Sequence, residues 1–242
     1  MKICIDPGHG GKDPGAVSNG LKEKDITLSI ALETARLLRA AGQTVILTRE
    51  TDRFIDLTQE RAPAADISVS IHVNAGGGYG LETWVSAFHH VKESRQLGQA
   101  IQDSILKRIQ FRDRGIKSKA NSSGTDDYLY MLRKPKGVAV LVECGFIDST
   151  TDAAFLRSAD KLKQIAQGIA SGILQYLAKG VIDVALDKWM VDGGQAALKY
   201  LEQKGLVLNA ADWGKEEKLA APVPSYLFWM MMQRLTERME AK

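Results

Sequence analysis

Cysteine is scarce: only Cys4 and Cys144 occur in 242 residues, each inside or at the edge of an apolar run. Two thiols cannot build a disulfide framework, and neither has a second cysteine at zinc-finger spacing. They read as buried free thiols that pack as small hydrophobes, with a single bridge left open. No run of eighteen or more apolar residues exists, so no membrane span is expected. Met1 to Asp6 enters a short strand directly, without the apolar segment and small-residue cleavage site of a signal peptide. The expectation is a protein made without an export signal, or one whose leader precedes this sequence. No Lys/Arg run forms a stripe, so nucleic acid is not an expected partner. The Gly-rich segment near residue 10 is not followed by Gly-Lys-Ser/Thr, which makes a phosphate-binding P-loop a poor reading. No internal repeat or low-complexity tract is visible.

What is present is ordinary for a globular chain with a sizeable core: 45% apolar residues, 25% charged residues and a net charge of +3. The pattern divides near Lys179-Gly180. Before that point strand and helix signals alternate. Residues 2–6 form a strand closed by Pro7-Gly8. A helix follows, with Asp25 as its expected cap and apolar residues at helical spacing to Ala41, and Gly42 stops it. Thr44–Thr48 reads as a second strand. Residues 57–65 read as a short helix interrupted near Pro63. Residues 66–74 alternate strictly, with Ile67, Val69, Ile71 and Val73 on one face and Ser68, Ser70, His72 and Asn74 on the other. Residues 81–88 read as a strand at the sheet edge, 92–109 as a helix, and 111–127 as a surface loop. Val138–Cys144 is a β-branched strand, followed by helices near 150–157 and 160–178.

This alternation predicts an α/β fold, a largely parallel twisted sheet with flanking helices, plus a small all-helical C-terminal domain. The expected domains are 1–178 and 181–242. In the second, residues 183–190 and 194–204 read as helices split by Gly193-Gly194. A last helix runs from Pro222 and Pro224 through Met239. About sixty residues lies near the lower limit for independent folding, so the alternative is an appendage of the first domain.

In open α/β sheets ligands sit beyond the carboxyl ends of the strands. His9 follows the first strand, within Asp6-Pro7-Gly8-His9-Gly10-Gly11. His72 ends the alternating strand, and Glu143 ends the strand Val138–Val142. Glu23 lies just before the first long helix. Two histidines and one glutamate are a common donor set for catalytic zinc, which leaves a position for water. A second carboxylate near that water serves as general base and acid. Glu143 suits that role, because apolar neighbours raise a carboxyl pKa toward neutrality. Asn74 is a candidate for contact behind the ligands or with substrate.

Each residue taken alone has a plainer reading. His9 is a histidine in a Gly-rich loop, His72 a hydrogen-bonded strand histidine, and Glu23 part of the solvated run Lys22-Glu23-Lys24-Asp25. Glu143 is the least easily dismissed, since a carboxylate in an apolar strand is costly unless paired or at work. His89 and His90 read as surface residues. Trp84, Trp189, Trp213 and Trp229 read as core anchors.

In order along the chain, these segments resemble the zinc N-acetylmuramoyl-L-alanine amidases of the Amidase_3 type. The resemblance rests on Ile5-Asp6-Pro7-Gly8-His9-Gly10-Gly11-Lys12-Asp13-Pro14-Gly15-Ala16, then Glu23, then Thr48-Arg49-Glu50-Thr51-Asp52. It continues through Ser70-Ile71-His72-Val73-Asn74-Ala75, Arg114-Gly115-Ile116-Lys117, Leu129-Tyr130-Met131-Leu132-Arg133 and Val140-Leu141-Val142-Glu143-Cys144-Gly145-Phe146-Ile147. It covers about residues 1–178. It implies one zinc ion at His9, Glu23 and His72, Glu143 as catalyst, and hydrolysis of the amide between N-acetylmuramic acid and L-alanine in bacterial peptidoglycan. Two positions depart from the family pattern: Val138 stands where proline is usual, and Arg61-Ala62-Pro63-Ala64-Ala65-Asp66 replaces the usual Arg-x-x-x-Ala-Asn.

The tail only faintly resembles helical wall-associated modules. Residues 181–242 are expected to bind the wall or to promote self-association. With no export signal in view, the arrangement looks like a phage or prophage endolysin. A zinc peptidase acting on stem peptides is the first alternative. Lys12 counts against it, because such enzymes usually carry Glu three residues after the first His. A non-catalytic peptidoglycan-binding protein is the second, and the intact set of four residues counts against that.

Overall fold

The computed structural model describes residues 1–57, 60–182 and 188–203. The chain divides into two compact units, Met1–Tyr176 and Leu177–Lys242.

The first unit is an α/β structure. Its elements are β1 (Lys2–Pro7), β2 (Val17–Ser18), β3 (Leu21–Lys22), α1 (Glu23–Ala40), β4 (Thr44–Leu47), β5 (Ile67–Asn74), β6 (Leu81–Val85), α2 (Val91–Leu106), β7 (Asp113–Lys117), α3 (Tyr130–Arg133), β8 (Val138–Phe146), α4 (Thr150–Leu156) and α5 (Ala159–Ile182), whose last residues, from Leu177, belong to the second unit. Six strands form the main sheet in the order β4-β1-β5-β8-β6-β7. The neighbours β4, β1, β5 and β8 run parallel, which aligns their carboxyl ends on one rim. β6 runs antiparallel to β8 and carries β7 parallel to itself, so both present their amino ends there.

Helices cover both faces. On one, Ser94 and Gln102 of α2 bond to Ala139 O and to the Thr83 hydroxyl, and Gly98 lies against Val85. On the other, Leu132 of α3 packs with Ala139 and Leu141, and Trp84 and Leu129 lean against them. Trp84 is thus a partly buried packing residue, as its apolar setting suggests. Cys4 and Cys144 are both buried and free. β5 lies between their strands, too wide a gap for a disulfide. Burial pushes the Cys4 thiol up to about 12, so it is inert at neutral pH.

Several local expectations change. α1 begins at Glu23, with Lys22 rather than Asp25 as its capping residue. The short β2–β3 hairpin turns at Asn19-Gly20 and feeds straight into the helix. β6 is not the edge strand, because β7 forms beyond it within the stretch read as a loop. Residues 60–65 hold turns and bends rather than a helix. Among the described residues of the second unit, Lys188–Gln203 is one helix, α6, running unbroken through Gly193 and Gly194. The expected helix ending at Met239 lies outside the described residues, as do Trp213 and Trp229. No helix among the described residues is long and apolar enough to cross a membrane.

Candidate active site

The sheet's parallel half delivers the expected residues to one rim. His72 of β5 and Glu143 of β8 are directly paired in register. Pro7 pairs with Ile71, so the turn Gly8-His9 leaves β1 beside His72. Gly8 is required there: a Cβ at that position would collide with the His72 ring. His9 adopts a left-handed backbone (φ 62°), a conformation non-glycine residues rarely hold without support. Arg61 supplies part of it by donating to His9 O at 2.9 Å.

Glu23, 4% exposed, projects from the first turn of α1 between the two imidazoles. Its Oε1 lies 2.9 Å from His72 Nδ1 and accepts from Val73 N, while its Oε2 lies 3.2 Å from His9 Nε2 and accepts from Ala16 N. The three residues offer donor atoms within 4.8 Å of one another. The rings stand 5.0 Å apart and nearly perpendicular. On the outer side of His9, Asp13 Oδ2 sits 2.8 Å from Nδ1. That carboxylate–imidazole pair fixes the ring and leaves Nε2 facing the cluster.

The electrostatics follow from this packing. Burial alone would pull His9 down, but Glu23 and Asp13 outweigh it and hold the imidazole at about 9. Burial alone would push Glu23 up, yet the two imidazoles hold it well below the usual carboxylate range. Glu143 behaves oppositely. Burial dominates, the nearby carboxylates Glu23 and Glu82 add to it, and its pKa rises to about 7. Its Oε2 is buried with no hydrogen-bond partner among the described residues.

The pairing between β5 and β8 shifts register after His72, so Asn74 aligns with Phe146. Asn74 Nδ2 donates to Glu82 Oε1 at 3.0 Å. Glu82 was not among the expected site residues. It is 3% exposed and pairs in register with Glu143. It also accepts from Trp84 Nε1 and from Arg114 Nε. A sequence signal existed, since a carboxylate at the start of an apolar strand needs an explanation. Asp13 was visible within the His9 segment but carried no role there. Arg49 was likewise visible. It is 2% exposed and donates to the carbonyls of Pro7, Gly8, Lys24 and Thr51 and to the Thr27 hydroxyl. It thereby ties the His9 turn to the start of α1.

A second cluster, His89, Asp126 and Asp127, has a different character. Both His89 and His90 are exposed, as expected. The buried Asp127 is engaged by the Ser86 hydroxyl and Ala87 N, which makes it a loop brace.

Fold and site define a class: an α/β protein with a two-histidine, one-carboxylate centre beside a buried glutamate on the carboxyl rim of its sheet. Residues 3–175 match the Amidase_3 family, N-acetylmuramoyl-L-alanine amidase, and the chain belongs to that family. It is 40% identical over 179 residues to the N-acetylmuramoyl-L-alanine amidase CwlM of Bacillus licheniformis, covering 72% of this chain and 67% of that protein. It is 38% identical over 186 residues to the endolysin of Bacillus phage SPP1, covering 72% of this chain and 65% of that one. Among solved structures, Cwp6 from Clostridium difficile is similar with a TM-score of 0.68 and 37% identity, over 73% of this chain and 29% of that protein.

Proposed function

We propose that this chain is a zinc-dependent hydrolase of the amide between N-acetylmuramic acid and L-alanine in bacterial peptidoglycan. The observation that carries the reading is the convergence of His9, Glu23 and His72 next to the unpartnered carboxylate oxygen of Glu143. Family membership supports the substrate assignment, and similarity to an endolysin supports a wall-degrading role.

The donor set fits one zinc ion. Two imidazoles and a carboxylate match the preference of catalytic zinc, and Asp13 supplies the outer carboxylate that such histidines usually bond. Zinc, when bound there, supplies a Lewis acid for the scissile carbonyl and acidifies water toward neutrality. Glu143 performs the proton transfers. Its free Oε2 accepts the proton of the attacking water and returns it to the departing alanine nitrogen. Burial raises the proton affinity of this carboxyl, as a group that must take up a proton requires. We assign residues 1–178 as the catalytic domain and residues 181–242 as a module for wall binding or self-association.

The test separates ligand from catalyst. Glu143→Gln should keep about one zinc per chain while turnover on purified peptidoglycan falls roughly 10²–10⁴-fold. His9→Ala should lose both. Metal analysis with mass spectrometry of the digest reads each outcome. Released stem peptides beginning with L-alanine support the amidase, whereas trimmed stems would make the chain a peptidase. Zinc loss in Glu143→Gln would overturn the division of roles.

A further inference from the structure

The site continues across the sheet beyond the groups used above. His72, Glu143 and Glu82 stand in register on three adjacent strands, β5, β8 and β6. Arg114 on the edge strand β7 extends the row, donating from Nε to Glu82 Oε2 at 2.7 Å. Its guanidinium carbon sits 4.7 Å from the Phe146 ring centroid. The side chain is 29% exposed, whereas that of Glu82 is 4% exposed. Among the described residues its two terminal nitrogens have no hydrogen-bond partner, so the paired N–H edge of the fork is left over.

A simpler role for Arg114 is to neutralise Glu82. That needs one bond, and Glu82 already accepts from Asn74 and Trp84. A guanidinium gripped at Nε by a buried carboxylate and stacked on a ring has lost most of its freedom beforehand. It can then receive a carboxylate through its terminal edge at little further entropic cost.

The chemistry of the substrate says which anion. The glycan is neutral, and the lactyl carboxyl of muramic acid is consumed in the amide that is cut. The remaining carboxylates of a peptidoglycan unit belong to its peptide. β7 lies two strands from β8, about 10 Å at ordinary strand spacing. An extended peptide covers that distance in roughly three residues.

We propose that Arg114, held by Glu82 and Phe146, forms a subsite for a carboxylate on the peptide half of the substrate, within about three residues of the scissile amide. The proposal rests on the amidase reading above and adds a specificity to it.

The test uses zinc-loaded full-length protein and two forms of one purified, polymer-stripped peptidoglycan. One is untreated, and in the other the peptide carboxyls are converted to amides. Initial rates of new L-alanine N-termini are read at subsaturating substrate. The wild type should cut the amidated form about 10-fold more slowly, the scale of a charge-assisted bond. Arg114→Gln should slow cleavage of the untreated form to a similar rate, abolishing the preference. Arg114→Lys keeps the charge but cannot grip Glu82 and a carboxylate with one planar fork, and should show an intermediate preference. Equal wild-type rates on the two forms would overturn the subsite even if both variants misfold, as would a full preference retained in folded Arg114→Gln. No new L-alanine N-termini from untreated peptidoglycan would instead sink the amidase reading.

Discussion

Arg49 shows how much of the site depends on one side chain that never faces a substrate. It is buried and charged, and five oxygens share its donors. Those oxygens belong to the end of β1, the turn before His9, the first turns of α1 and the loop after β4. Removing the planar fork while keeping the charge leaves several carbonyls unpaired and an ammonium in a dry setting. Arg49→Lys should therefore lose about 3 kcal/mol of stability by urea titration. Its zinc affinity should fall too, because His9 and Glu23 are no longer held at a common separation. An unchanged unfolding midpoint would refute the bracing role. The sequence displayed the reacting groups better than their supports. His9, Glu23, His72 and Glu143 stand out because their chemistry is unusual in an apolar or Gly-rich setting. Arg49 and Asp13 look like ordinary surface charges until the fold buries or pairs them, and Glu82 stands out only by its place in an apolar strand.

At the level of elements, the packing of α5 on α2 rests on two glycines one turn apart. A Cβ on Gly168 would come within 2.7 Å of the Ile105 backbone, and one on Gly172 would collide with the backbone of Ile101. Helix propensity favours alanine over glycine by about 1 kcal/mol. Backbone contact opposes it more strongly, because a main chain cannot swing aside as a side-chain tip can. Gly172→Ala should thus destabilise by roughly 1–3 kcal/mol, the usual cost of overpacking. A raised melting temperature would show that propensity had won. Periodicity made the parallel strands and long helices legible, since burial on one face writes itself into the residue order. It was blind to strand direction, so the antiparallel turn of β6 was not foreseen. It also missed β7, where Asp113-Arg114-Gly115-Ile116-Lys117 has two charged residues ahead of a glycine at φ 75°. An edge strand buries too little to impose alternation.

For the molecule as a whole, the question is what residues 181–242 add to a first unit that already carries every proposed catalytic group. Peptidoglycan is an insoluble polymer, so an enzyme that cuts it gains from a second attachment that raises its local concentration there. That gain vanishes on a small soluble muropeptide, which offers nothing for a second module to hold. We therefore expect residues 1–178 alone to bind zinc and to turn over a soluble muropeptide at the full-length rate. On sedimented walls they should work more slowly and pellet less at low salt. Ile173 is the last fully buried apolar residue of α5 among the described residues, and it lies inside that boundary. Equal pelleting of the two forms would remove wall binding. Sedimentation velocity of both would then decide self-association, because only the full-length chain should gain mass with concentration. Losses confined to the insoluble substrate would place the second unit in delivery, whereas an equal loss on both substrates would make it part of the catalytic fold.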